Sequence, residues 1–483
     1  MFINRIIRWF NGWPDLLKFL VLIAVTVYAT YYAPAPVAVA WYAVMAVAYF
    51  FSTNEALWLA LFLATADGFA SYFGMYEVTL TVLPGLPAVE ISQIYIILTV
   101  IKAAAKKLKP VLFYNKYLQI LLIFMIFNVL WGQLMGLSGG LNVYFRVIKG
   151  IIPMMLFYSI PRLFVSREMY EKFFRLVFII VLASFAAQLF TLLTGMSPME
   201  AGGIVPQEVE EESNDFRVFY GPASALAGLF GALYFLSTGR NNPRDRIIPV
   251  MVVFAAYAMA IISATRGWII SFTFIIVLTL LFSGTLRTRR GIYIVVAIVP
   301  LSLWFLSLPV ISDQISFARE RLQKIEAISE GDITAGGTLM RLDYRSQRTL
   351  GGWSENPLFG WGPSDKGYDY DDGHVGNQSL LATSGIVGFV LLNGFLVWFI
   401  YMIVSLYSRT PRMVRERGTL LVFVFFLAGW FIIHSTSGQQ FNYSGFPGNI
   451  ITQSVFFSFG AMQYQRIKAI IIHGKKVRKG SPA

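Results

Sequence analysis

The side chains able to do chemistry in this chain are arginines, a few carboxylates and very few histidines, and most of them gather in one stretch. Residues 340–388 read MRLDYRSQRTLGGWSENPLFGWGPSDKGYDYDDGHVGNQSLLATSGIVG, the only long polar segment in a chain that otherwise alternates apolar runs with short basic hinges. Arg341, Arg345 and Arg348 are spaced four and three apart, which puts their guanidinium groups on one face of a helix. A guanidinium binds phosphate oxygens as a two-pronged donor and keeps its charge, so such a cluster suits a diphosphate. The plain alternative for Arg341, Arg345 and Arg348 is a solvated face paired with Asp343 and Glu355.

Two more arginines stand in unusual places. Arg217 closes an acidic stretch and precedes Val218-Phe219-Tyr220-Gly221-Pro222. Arg266 sits between two apolar runs, in Ser263-Ala264-Thr265-Arg266-Gly267-Trp268. A charge among apolar residues is costly, so Arg266 must meet an interface, a polar cavity or an anion. Snorkelling to lipid headgroups is its bland alternative.

His374 is flanked by Asp369, Asp371 and Asp372, and by Gly376-Asn377-Gln378 just before an apolar run. Histidine moves protons near neutral pH, and a neighbouring carboxylate raises its basicity. His434 ends another apolar run near Gln439, Gln440, Asn442 and Tyr443, and could line the same cavity. For both, a capping, packed or solvated histidine is the alternative. His473 lies in a basic tail and takes no role. Asp371, Asp372 and His374 are candidate metal ligands, but their glycine-rich spacing favours no coordination geometry, so no metal is expected. Trp353, Trp361, Tyr368 and Tyr370 offer faces for sugar rings, or anchors at a membrane interface. No GxSxG, Walker or Rossmann pattern occurs in a sensible context, so an activated substrate or a gradient must supply the driving energy.

The elements that position these residues belong to a membrane. Hydrophobic residues make up 56% of the 483 and charged residues 13%, a balance for lipid rather than water. Apolar runs of roughly 18 to 22 residues recur, the length a helix needs to cross a bilayer core. The runs are continuous rather than alternating, which means helices and not a barrel. The first run follows Arg5, Arg8 and Lys18 without a small-residue cleavage site, as in a retained helix. The absence of cysteine excludes disulfides, thiolate metal sites and a cysteine nucleophile. The net charge of +13 fits basic cytoplasmic loops, and no basic soluble domain exists to bind nucleic acid.

About fourteen apolar segments can be placed: 16–33, 37–51, 55–73, 88–105, 117–136, 143–164, 173–194, 219–238, 247–264, 267–283, 292–309, 379–406, 419–434 and 450–464. Counted one helix at a time, the basic hinges around Lys106, Arg167, Arg244, Arg289 and Arg412, the basic tail and the N-terminus share one side, the cytoplasm. The opposite side receives an acidic loop, 195–218, and a large polar loop, 310–378. Within the latter, 314–330 reads as an amphipathic helix and 340–350 as a second helix stopped by Gly351-Gly352. Residues 353–372 read as turns. The expected fold is a single all-α polytopic membrane domain over 1–483, with both termini cytoplasmic.

The polar stretch resembles a known family. His374 followed at a distance by Gly385-Ile386-Val387-Gly388 is similar to the histidine motif in the outer loop of bacterial O-antigen ligases. The run Arg341…Trp353-Ser354-Glu355-Asn356-Pro357-Leu358-Phe359-Gly360-Trp361-Gly362 resembles one common to O-antigen ligases and polymerases. Ser263–Ile270 resembles the family's arginine-x-x-x-leucine element and Arg217–Gly221 its earlier outer-loop arginine. Val375 stands where the ligases carry a polar residue, and Ile270 where the family has leucine.

The resemblance implies a GT-C-like membrane enzyme of the bacterial inner membrane, an inverting, metal-independent glycosyltransferase without a cofactor. Its donor would be a glycan on undecaprenyl diphosphate, and its acceptor a lipid-linked repeat unit or lipid A–core. Catalysis would be periplasmic, with His374, Arg266 and Arg217 as catalytic residues and Arg217, Arg266 and Arg341 on the diphosphate. Arg345, Trp353, Trp361, Asn377 and His434 would bind substrate. A polysaccharide polymerase is the first expectation, an O-antigen ligase the second, and a flippase for the lipid-linked oligosaccharide the rival of another class. Membrane lipids and a chain-length regulator are the further partners expected.

Overall fold

A computed structural model describes residues 14–73, 79–80, 89–106, 109–138, 141–204, 218–238, 244–283, 316, 338–412, 414 and 416–480. Arg217, the apolar segment 292–309 and the amphipathic stretch 314–330 lie outside the described residues, as does the side chain of Arg341. Every other apolar segment expected from the sequence carries a helix. These are α1 (Asp15–Tyr31), α2 (Ala35–Phe51), α3 (Glu55–Ala66), α4 (Ile91–Ala105) and α5 (Asn115–Leu134). Next come α6 (Leu141–Ile151), α7 (Leu156–Leu163), α8 (Arg167–Thr194), the single turn α9 (Pro198–Ala201), α10 (Pro222–Ser237), α11 (Arg244–Ile262) and α12 (Arg266–Phe282). The polar stretch contributes α13 (Thr338–Glu355) and α14 (Asp365–Tyr370), and α15 (Gly376–Arg409), α16 (Arg417–Leu427) and α17 (Pro447–Gly480) come last. A two-residue antiparallel pair, Thr79–Leu80 with Val89–Glu90, precedes α4.

Among the described residues, five stretches are long and apolar enough to cross a membrane: Asn115–Leu134, Val143–Leu163, Arg167–Thr194, Gly376–Arg409 and Arg417–Thr436. Large apolar side chains face outward, with Phe51 79% and Leu134 75% exposed. An apolar exterior on continuous helices is what lipid requires. The chain is an α-helical membrane protein.

Aromatic rings and glycines make the interior. Phe230 on α10 lies 5.0–5.6 Å from the rings of Phe174, Phe423, Phe426 and Phe456, which come from α8, α16 and α17. Gly231 lets α8 approach, because a Cβ there would lie 2.7 Å from the Phe174 ring. In a bundle without water, such small-residue contacts supply the packing that holds helices together.

Besides α14, which lies inside the stretch 353–372 expected to be turns, two features depart from the sequence expectation. The helix predicted to stop at Gly351-Gly352 runs on to Glu355. Gly352 is there for close approach, since a Cβ would lie 2.3 Å from the Tyr370 ring. The second departure is a break inside α15. Gly385 has φ 63° and ψ −176°, a conformation open to glycine alone.

The backbone groups freed by that break are taken up by the Asn356–Gly362 run. Ile386 and Val387 N–H donate to the carbonyls of Pro357 and Leu358 at 2.9 and 3.1 Å, and Trp361 and Gly362 N–H donate to those of Ala382 and Thr383 at 2.9 and 2.8 Å. Trp131 Nε1 on α5 donates to the Gly360 carbonyl at 2.9 Å, which ties the joint to the bundle. Irregular backbone at membrane depth survives only when it is paired in this way.

Candidate active site

Arg266 is the first residue of α12, with Thr265 as its N-cap. Gly267, the second, lies against His434: a Cβ there would come within 2.6 Å of His434 Cδ2 and of Ser437 Oγ. The Trp268 ring lies 4.0 Å from the His434 imidazole. Phe219, two residues beyond Arg217, packs on Trp268 at 5.6 Å between rings. The chain that leaves Arg217 therefore arrives beside the start of α12.

His434 opens a short 3-10 turn after a π-helical stretch, Ala428–Ile433, that continues α16. A π stretch adds a residue to the turn and re-aims the residues after it, and such stretches are frequent at functional sites. His434 is 6% exposed. Its Nδ1 has no hydrogen-bond partner among the described residues, and the same holds for Gln378 Oε1 and Gln439 Nε2. Buried polar atoms are normally paired. Here three unpaired ones come from the segments that meet at this junction.

The third segment is the loop with His374. A Cβ on Gly376 would lie 2.6 Å from the Ser435 carbonyl oxygen and 2.4 Å from Gln439 N, so loop and junction touch through backbone. Val375, at the start of α15, is buried, which accounts for an apolar residue after the histidine. His374 itself is exposed, and Asn377 is half-buried. The backbone N–H of His374 donates to Asp372 Oδ1 at 2.9 Å.

Asp372 also organises the arginine stripe. Arg345 Nη1 meets Asp372 Oδ1 at 3.3 Å, and Arg348 Nη2 meets Oδ2 at 3.2 Å. The pairing with Asp343 and Glu355 considered from the sequence is corrected. Asp343 accepts from Gln347 at 3.1 Å, while Glu355 takes Lys366 at 3.2 Å and the Tyr370 hydroxyl at 3.0 Å. The stripe reaches instead across to the carboxylate beside His374. One carboxylate against two guanidinium groups leaves the cluster cationic. Arg266 makes no ion pair among the described residues.

Trp361 and Trp353 sit apart from the junction, in the brace around the α15 break. Trp361 Nε1 donates to the Gly352 carbonyl at 2.7 Å, and the Lys366 ammonium stands 4.4 Å over its ring. Trp353 Nε1 donates to the Pro357 carbonyl at 3.0 Å. Two loop carboxyls respond to their surroundings in opposite directions. Hydrogen bonds from Tyr370 and Lys366 hold Glu355 below the usual carboxylate range. Asp371 is exposed as a residue, yet protein crowded around its carboxyl raises it; the Ser379 hydroxyl opposes this and Asp372 adds to it.

Sequence reasoning missed Asp67. It is half-buried and receives the N–H groups that open α10, from Ala223 at 3.0 Å and from Ser224. It thereby fixes where the chain after Arg217 joins the bundle. The signal was present: a carboxylate inside the apolar run 55–73. Chemically, the junction can hold an anion at the start of α12 with Arg266, while an exposed histidine beside a carboxylate waits at its edge.

No protein-family model matches the chain, and no curated protein matches it. The chain is similar to one chain of a solved structure described as "Structural coordination of polymerization and crosslinking by a peptidoglycan synthase complex", with 14% identity, a TM-score of 0.39, and coverage of 72% of this chain and 97% of that one. Likeness at that level does not define a shared fold.

Proposed function

We propose that this protein is a membrane glycosyltransferase that polymerises a polysaccharide, moving a glycan from a polyprenyl diphosphate onto a lipid-linked repeat unit. Arg266, Arg217 and Arg341 hold the diphosphate and stabilise it as it leaves. His374 orients the acceptor hydroxyl and takes its proton. The loops 195–218 and 310–378 face the outer side of the bacterial inner membrane, the helices make about fourteen crossings, and both termini are cytoplasmic. No metal or cofactor takes part in this reading.

The observation that carries it is the convergence of Arg266, His434 and the His374 loop on one junction lined by buried, unpaired polar atoms. The ligase reading keeps the same chemistry with lipid A–core as acceptor. A gel of surface and lipid-linked polysaccharide from a deletion strain separates the two. Loss of the ladder with a single repeat still attached means polymerase. Loss of all attached glycan, with long lipid-linked chains accumulating, means ligase. An unchanged gel overturns both.

A further inference from the structure

A cavity of about 250 Å³ lies beside the junction and shares none of its lining with Arg266, His434 or His374. Asn128, Arg146, Tyr368, Asp371, Asn442 and Ser444 supply its polar wall. Thr383 and Ser384, the residues just before the break in α15, line it as well. An unbroken helix would satisfy its own backbone. Here the Asn356–Gly362 run pairs the far side of the break, and the residues before it border this polar cavity, both settings in which irregular backbone is tolerated in a membrane.

The lining selects the ligand class. The lining holds one guanidinium and one carboxylate, so the cavity has no excess positive charge for a diphosphate. A lipid chain there would leave the polar side chains of Asn128, Arg146, Asp371 and Asn442 facing hydrocarbon. The cavity offers hydrogen-bond donors and acceptors in mixture, the Tyr368 ring, and apolar Met125 and Val147. Hydroxyl-rich rings with apolar faces need that combination. Asn128 is 8% exposed and gives only its Nδ2, to the Thr383 carbonyl at 3.2 Å, so its oxygen is uncommitted among the described residues. Arg146 has no ion pair among the described residues. Asn442 Nδ2 donates to Gln439 Oε1 at 3.1 Å, which links this cavity to the junction through one side chain.

We infer that this cavity is a saccharide subsite, holding a sugar unit of the substrate while the diphosphate occupies the Arg266 junction. The role of that sugar rests on the glycosyltransferase reading above. Arg146 is the specificity residue of the subsite.

The test is photo-crosslinking in cells that make the native lipid-linked glycan, with p-benzoylphenylalanine placed in the full-length protein at Val147 in the cavity or at Ser437 at the junction. Sugar-bearing adducts, read by mass spectrometry, are expected at both positions. Arg146→Ala and Arg146→Gln should each lower the Val147 adduct about tenfold and spare the Ser437 adduct. Both variants should accumulate in the membrane at the wild-type level, because Arg146 is exposed and has no ion pair among the described residues to lose. A phospholipid adduct or none at Val147, with sugar still captured at Ser437, overturns the subsite and leaves the enzyme reading standing. So does a Val147 sugar adduct indifferent to both variants. Sugar at neither position overturns the enzyme reading and the subsite together.

Discussion

The start of α12 and the break in α15 are built from the same materials to opposite ends. Both rely on glycines that let backbone or rings come closer than a Cβ would permit, at Gly267 in one and at Gly360 and Gly385 in the other. At the break, the freed N–H and carbonyl groups find partners in the Asn356–Gly362 run. At the α12 junction, His434 Nδ1, Gln378 Oε1 and Gln439 Nε2 stay unpaired among the described residues. Full pairing marks a brace. Buried polar atoms left over on three adjoining segments leave capacity to bind a further group there, although other such atoms lie elsewhere in the bundle. The stretch 340–388 thus contains both parts: a structural joint around Gly385 and, on the proposed function, the reactive edge around His374.

The sharpest break of that contrast is Gly385→Ala. A Cβ would lie 2.3 Å from the Leu358 carbonyl oxygen on a backbone no alanine adopts, so unfolding of the purified protein should become easier by roughly 3 kcal/mol. An unchanged thermal midpoint would mean that the joint is not a brace. Arg266→Lys should do the reverse, leaving the thermal midpoint in place while product falls about a hundredfold, because lysine keeps the charge and loses the two-pronged geometry. Near wild-type product would favour snorkelling.

Smaller effects come from the loop between the two regions. Asp372→Asn removes the charge that Arg345 and Arg348 share but keeps an acceptor for His374 N–H. The pair is partly exposed, so the cost to stability should be about 1 kcal/mol or less. Salt titration of the unfolding midpoint should be shallower in the variant. The smallest effect is a pH slope. The Asp371 carboxyl is raised in the folded protein, so its contribution is fully present below the usual carboxylate range and is lost as pH climbs through the raised value. Asp371→Asn should flatten that part of the stability profile.

Much of this was readable in the sequence. Apolar run lengths placed most of the described helices within a few residues, though 55–73 closes at Ala66, 143–164 divides into α6 and α7, and the last helix runs on to Gly480; Arg266 and His434 drew attention as polar residues at the ends of apolar runs. Glycines misled, because Gly351-Gly352 reads as a stop when the sequence cannot show that Tyr370 lies over Gly352. The break at Gly385 was invisible for the same reason: its partners, Pro357 and Leu358, are distant in sequence. The arginine stripe was placed on one face, but its carboxylate was sought within the helix and near its end rather than across the loop at Asp372. Arg146 and Asn128 escaped because neither belongs to a motif, and only the fold brings them to one cavity with Asn442, which the sequence had placed merely near His434.

The most direct test of the central claim is to follow the lipid-linked repeat unit in cells whose protein carries His374→Ala, with the variant's membrane level confirmed. An enzyme with His374 at its reactive edge predicts loss of polymer while the repeat unit accumulates in the outer leaflet. Repeat units trapped in the inner leaflet, or a normal polymer ladder, would contradict it.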